Sequence, residues 1–446
     1  MSLFKRWFGV KNIDFERPEM IFGRYTDAYK KDEQYDFWDK ALEKFEEKSY
    51  TESFELFFRY LKDPEKDNVK FWKEGRIQRF EVLQGSKKIE GTIDNKKFRA
   101  FAKIAKTDKL NIGFLRRLVE QNFGLKYSRY ALDDDDNISM VFDSYLLDGS
   151  PYKLYYALKE VAVNSDKQDD VLIDEFEMLH PVNTGHTKQI SNHEKEIKFW
   201  FLHKEINAAL DEIENGKLDT NQYPGGVAYL LLHLIHKLDY LIKPEGYTME
   251  KLEKMHRTYF SEELRTTEEK NHAIQKGLKK ILQRSKEEFF VELYSVSSTF
   301  GITSPVNHDR LKGFIEGEIN KMDWYKDNKH DKVAIAVPGY IVGFFLFNYA
   351  VPEADKDYLH LFYQITEIEF FQKLGFEINY FNPATGALAK KEIIQAIEYL
   401  KQKHKPDFPK LDPNLNILKF ENLVTFSKSY LLMMKELDLS KIVIPS

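Results

Sequence analysis

The apolar positions of this chain recur with different periods, and the changes of period divide it. Over 35–63, "YDFWDKALEKFEEKSYTESFELFFRYLKD" spaces Trp38, Leu42, Phe45, Phe54, Phe58 and Leu61 as on two amphipathic helices, closed by Asp63-Pro64. The period then falls to two. "RIQRFEVL" (76–83), "KKIEGTID" (87–94) and "KKFRAFAKIAK" (96–106) are parted by Gly85-Ser86 and Asp94-Asn95, which are turn pairs between strands. In the third segment Phe98, Ala100, Ala102 and Ile104 alternate with Arg99, Phe101 and Lys103. Asn111 opens a helix with Phe114, Leu115, Leu118, Val119 and Phe123 on one stripe, and Gly124 ends it. "KYSRYAL" and "NISMVFDSYLL" read as two more strands around the acidic turn Asp133–Asp136. Ser150-Pro151 then caps a long helix from about Tyr152.

From about residue 190 the period is helical. "NHEKEIKFWFLHKEINAALDEIEN" and "GGVAYLLLHLIHKLDYLI" flank the turn-rich "GKLDTNQYPGG", and helices over roughly 247–260 and 266–286 follow. Beyond them "EFFVELYSVSSTFGITS" predicts a strand, while "DRLKGFIEGEINKMDWY" and "DKDYLHLFYQITEIEFFQKLG" predict helices. Between these two lies "VAIAVPGYIVGFFLFNYAV" (333–351), uncharged over nearly the length of a membrane span. Pro338-Gly339 near its middle is a turn signal, and Val, Ile, Phe and Tyr on both sides suit strands. A buried hairpin is therefore expected, with a single membrane span as the alternative.

With that hairpin, 287–380 repeats the plan of the first block with two early strands missing. Tyr152, Tyr155 and Tyr156 then correspond to Tyr358, Phe362 and Tyr363. Chance similarity between common strand–helix units is the rival explanation. The expected fold class is α+β. Its parts are an N-terminal tail (1–34), an antiparallel-sheet α/β domain (35–180) and a helical region (190–286). A second, degenerate α/β block (287–380) and a C-terminal helical segment (381–446) complete it.

Length and composition narrow the class of protein. A chain of 446 residues is long enough for two or three cores, and 42% apolar with 31% charged residues describes a folded globular protein. A net charge of −5 implies no general attraction to nucleic acid. The absence of cysteine removes disulfides, thiolate zinc sites and cysteine nucleophiles, and fits a cytoplasmic protein. "MSLFKRWFGVKNIDF" lacks the apolar run of a secretory signal. Its Leu3, Phe4, Trp7 and Phe8 are expected to dock on their own domain, a membrane-surface helix being the alternative.

No glycine-rich phosphate cradle is present, and "NTGHTKQ" (183–189) resembles one only superficially. His233 and His236 lie one helical turn apart, and Glu253/His256 and Glu269/His272 have the E-x-x-H spacing of dimetal bundles. Those bundles need inward-pointing ligands. Here Val227, Leu231, Leu234 and Leu238 take the inward face and leave the histidines on the wetter one, so no metal centre is expected. The Asp133–Asp136 run lacks the alternate ligands and glycine of a calcium loop. No G-x-S-x-G elbow occurs. Neither catalytic nor cofactor residues are assigned.

Over about 35–178, the element order and the stretch "YSRYALDDDDNISMVFDSYLLDGSPYKLYYALKE" resemble the type III secretion chaperone-like fold, shared by small bacterial YbjN-type proteins. The resemblance implies a non-enzymatic, chaperone- or adaptor-like protein that binds other protein chains, often as a dimer. A hydrolase or metal-dependent enzyme with a site between the two halves is the alternative. An unclosed antiparallel sheet leaves edge strands with unpaired backbone groups. "SKKIEGTIDNKK" (86–97) is read as such an edge. On it Ile89 and Ile93 would receive an extended partner segment, or the same strand of a second copy in a two-fold dimer. The opposing reading buries both isoleucines under the helical hairpin.

Overall fold

Alternating burial along six strands builds the first half around one sheet. The computed structural model describes residues 20–107, 112–133, 135, 137–175, 178–182, 185–261 and 266–440. Helices α1 (Asp32–Glu46) and α2 (Tyr50–Leu61) precede strands β1 (Val69–Glu74), β2 (Ile77–Gln84), β3 (Lys87–Ile93) and β4 (Lys97–Thr107). Helix α3 (Ile112–Asn122), strands β5 (Arg129–Leu132) and β6 (Asn137–Tyr145), helix α4 (Pro151–Glu175) and strand β7 (Leu179–Pro181) follow. The sheet is antiparallel, in the order β1-β2-β3-β4-β6-β5, with β7 added to the end of β4 past a bulge. The fold is α+β.

One face of this sheet makes the core. Phe80, Val82, Ile89, Ile93, Phe98, Ala100, Ala102, Met140 and Phe142 are buried with Phe54, Phe57, Phe58 and Leu61 of α2 and with Leu154, Leu158 and Val161 of α4. Each large side chain so buried contributes about 1.5–3 kcal/mol. The other face carries half-exposed Arg79, Glu81, Lys88, Glu90, Lys103 and Asp143. Gly91 on β3 is fixed by packing: a Cβ there would meet the Phe80 ring at 2.0 Å.

The second half is helical: α5 (Asn192–Asn215), α6 (Pro224–Ile242), α7 (Gly246–Phe260), α8 (Thr267–Leu282), α9 (Lys286–Val291), α10 (His308–Glu318), α11 (Met322–Asp327), α12 (Asp331–Asn348), α13 (Glu353–Thr366), α14 (Ile368–Lys373), α15 (Lys390–His404) and α16 (Leu423–Lys435). At its centre α6 packs along α12, both apolar on most sides.

The hairpin expected at 333–351 is absent. Asp331–Asn348 is a continuous helix that runs through Pro338. A helical proline forfeits a hydrogen bond and costs about 3 kcal/mol, but burial of Val333, Val337, Ile341, Val342 and Phe345 offsets it. The glycines make contact rather than a turn. A Cβ on Gly339 would meet the His233 ring at 2.3 Å, and one on Gly343 would meet His236 Cβ at 2.7 Å. Their lack of side chains lets α6 approach. This helix is long and apolar enough to cross a membrane, and most of it is buried within the protein.

The tandem repeat falls with the hairpin. Among the described residues 287–380 holds only two-residue strands, and "EFFVELYS" is α9 followed by the bridge Tyr294–Ser295. The N-terminal stretch from Met20 is a strap rather than a tail. Gly23 N–H donates to the Tyr240 carbonyl, and Phe22 packs among His360, Phe371 and Phe376. Leu3, Phe4, Trp7, Phe8, Asn111, Asp134, Asp136, Asn183 and Thr184, to which structural roles were assigned from sequence, lie outside the described residues.

The halves are stitched by a segment far along the chain. Phe300 sits in the sheet core, edge-on to Tyr155 at 5.6 Å. The Gln84 amide accepts from the Phe300 N–H (3.0 Å) and donates to the Phe300 carbonyl (3.2 Å). Asp27 of the strap accepts from the Gly301 N–H (2.9 Å) and the Tyr155 hydroxyl (2.7 Å).

Candidate functional site

The edge placed at Ile89 and Ile93 is interior. β3 lies between β2 and β4: Ile89 stands opposite Val82 and Ala102, and Ile93 opposite Gln78 and Phe98. Both side chains are buried, at 0% and 3% exposure. As the middle strand of the β2-β3-β4 meander, β3 is paired on both sides and has no free edge. Val69–Glu74 forms a further strand that the sequence pattern does not mark, and it adds outside β2.

Among the described residues β1 is therefore the open edge. Leu83 N–H donates to the Asn68 carbonyl at 2.8 Å, so residues 68, 70, 72 and 74 point their backbone groups at β2. By alternation Val69, Phe71 and Lys73 aim theirs outward. Along this edge runs a groove of about 360 Å³ between β1 and α2. Phe58, Val69 and Phe71 make its apolar floor, with Phe58 and Phe71 stacked at 5.1 Å. Glu55, Arg59, Lys62, Asp67 and Lys70 make a rim of both charges. Trp72, on the opposite face of the strand, is 40% exposed. The far edge differs, because β5 is only four residues long and α3 packs beside it.

The histidines on α6 face inward, against the sequence expectation. His236 is buried and His233 half-buried against α12, and the glycines there make the room. His236 Nε2 is 3.0 Å from His256 Nδ1, within a cage of Phe344 and Phe347. Glu253 turns instead to Arg24, Lys167 and Arg257. Glu269 closes a capping box with Thr266 at the start of α8, and His272 is exposed. Among the described residues no three His, Asp or Glu side chains converge as a metal site.

A second cavity, of about 320 Å³, opens where the halves meet. The strap residues Gly23–Thr26 form one wall, the Ser298–Phe300 stitch another, and α4, α6 and α13 supply the rest. Its charged groups come from Arg24, Lys66, Lys167, Lys243 and Lys356, with Asp63, Asp166, Asp239 and Glu245. These positions are scattered over the whole chain, so no local pattern marks them.

Neither a protein-family model nor a curated protein matches the chain. Fold and site together define the class: an α+β protein with a one-sided antiparallel sheet, an open edge strand beside a helix, and a helical half docked through a strap.

Proposed function

We propose that this is a cytoplasmic, non-enzymatic protein that captures an extended segment of another protein chain at the edge of β1. The observation that carries the reading is the groove between β1 and α2, alongside the outward backbone groups of Val69, Phe71 and Lys73. An added strand would take its affinity from those groups. Its alternate side chains would drop onto Phe58 and Phe71, with the charged rim setting selectivity. The chaperone- or adaptor-like role inferred from the resemblance is kept, with the binding strand moved from β3 to β1.

A Lys73→Pro variant tests this. Proline is tolerated on an edge strand where the lost N–H faces solvent, so the sheet should stay folded while one outward donor disappears. Peptides selected on the wild-type chain from a random display library should bind the variant at least about tenfold more weakly, a loss of about 1.4 kcal/mol. Equal binding to both proteins would sink the proposal. Light scattering on the same pair reports whether a second copy uses the edge.

A further inference from the structure

One ammonium lining the cavity between the halves has no direct hydrogen-bond or ion-pair partner among the described residues. Arg24 grips Asp239 (2.7 Å) and Glu253 (3.0 Å), Lys167 reaches Glu253 (3.0 Å), and Lys243 reaches Glu245 (3.1 Å). Those three are used up. Lys66, from the loop between α2 and β1, stands 3.6 Å from Asp63, beyond hydrogen-bond range, and 5.0 Å from the Tyr25 ring. Lys356, in the first turn of α13, is half-buried, and among the described residues its ammonium has no hydrogen bond or ion pair. Burial, Lys66 and Lys403 hold its pKa below the ordinary lysine value, against Asp357 and Glu353. Tyr25 also lines the cavity. Burial raises its pKa, with Asp27 and Asp63 adding to the effect, so its hydroxyl keeps its proton and stays a donor.

Two lysines from opposite halves thus share one cavity and repel each other, with a spare hydroxyl donor beside them. A buried charge without a partner is costly. The cost vanishes when an oxyanion enters. Lysine acts on phosphate as a point charge, whereas planar carboxylate recognition favours a free guanidinium, and Arg24 is already engaged on two carboxylates. The volume lies at the lower end for small-molecule sites. Val163, Met249 and Ile302 offer apolar wall for the rest of a ligand.

We propose that this cavity binds a small phosphate-bearing molecule, its phosphoryl group held between Lys66 and Lys356 with the Tyr25 hydroxyl donating. Because the two lysines belong to different halves, the ligand also ties the halves together, independently of what β1 captures.

The test uses the full chain with inorganic phosphate, pyrophosphate and citrate at constant ionic strength set by chloride. Millimolar phosphate or pyrophosphate should raise Tm by several degrees through binding to the folded state. Calorimetric affinity should fall about tenfold or more in Lys356→Met and in Lys66→Met. Relieved of its unpaired charge, ligand-free Lys356→Met should melt at or above the wild-type temperature. The proposal is overturned by a phosphate effect no larger than that of chloride, or by one that survives Lys356→Met. It is overturned equally by a stronger response to citrate than to pyrophosphate, or by a Lys356→Met chain that melts below wild type.

Discussion

His236 and His256, from α6 and α7, face each other across a single hydrogen bond of 3.0 Å between Nε2 and Nδ1. One ring donates and the other accepts, and burial keeps both rings neutral near pH 7. Burial holds His236 well below its ordinary value, with His256 and Arg24 adding repulsion. Burial and Arg24 hold His256 at about 4, against Glu253. Between that value and the ordinary 6.5, the unfolded chain binds more protons than the folded one. The pair's contribution is therefore complete above pH 6.5 and is lost as pH falls toward 4. Calorimetry from about pH 7 to about pH 5 should show a loss on the order of 2 kcal/mol from His256 alone, with His236 adding to it. His256→Phe, which suits the surrounding rings, should flatten part of that slope. An unchanged slope would mean that the pair does not titrate in this way.

The close approach of α6 to α12 gives a second expectation. Gly339→Ala and Gly343→Ala place a methyl against the His233 ring and His236 Cβ, so each should cost about 1–3 kcal/mol in urea unfolding. Gly313, within α10, has nothing near its missing Cβ. Gly313→Ala should therefore stabilise by about 0.5–1 kcal/mol, through helix propensity alone. If all three behave alike, the contact between the two helices is not as tight as described.

Lys237 occupies the other side of α6, 2.5 Å from Glu205 and 2.9 Å from Glu367. Burial works against both carboxylates. Lys237 still holds Glu205 below its ordinary value, while burial pushes Glu367 above its own. Lys237→Met strands buried acid and should cost about 3–5 kcal/mol. Adding Glu205→Gln and Glu367→Gln to it should restore much of the loss. A single variant as stable as wild type would show the triad to be dispensable.

The sheet half was legible because its alternation and turn pairs are local signals. Phe98, Ala100, Ala102 and Ile104 could face inward only as a strand, and they do. β1 was missed because "VKFWKE" is short and half charged, which hid the true edge, and β3 was misplaced because a meander pairs its middle strand on both sides. The run 333–351 was misread for a different reason. An uninterrupted apolar segment has no period by which to tell helix from strand, and Pro338-Gly339 supplied a turn signal that the burial of α12 overrides. The histidines followed from that error, since the partner that buries them is α12. The cavity between the halves joins Arg24, Lys66 and Lys356 through tertiary contact alone.

The burial of β3 carries the last prediction. Ile89 and Ile93 face the α2 and α4 side chains from the middle of the sheet. Ile89→Lys with Ile93→Lys would drive two ammonium groups into a core with no acidic partner among its buried members. Desolvating even one such charge costs several kcal/mol, comparable with the whole stability of a typical domain, about 5–15 kcal/mol. The double variant should lose its strand signal in circular dichroism and aggregate on light scattering. Trp72→Lys, on the exposed face of β1, should stay folded and change stability by about 0.5 kcal/mol or less. A double-lysine protein that melts like wild type would return β3 to the surface and remove the case for β1 as the edge that receives a partner.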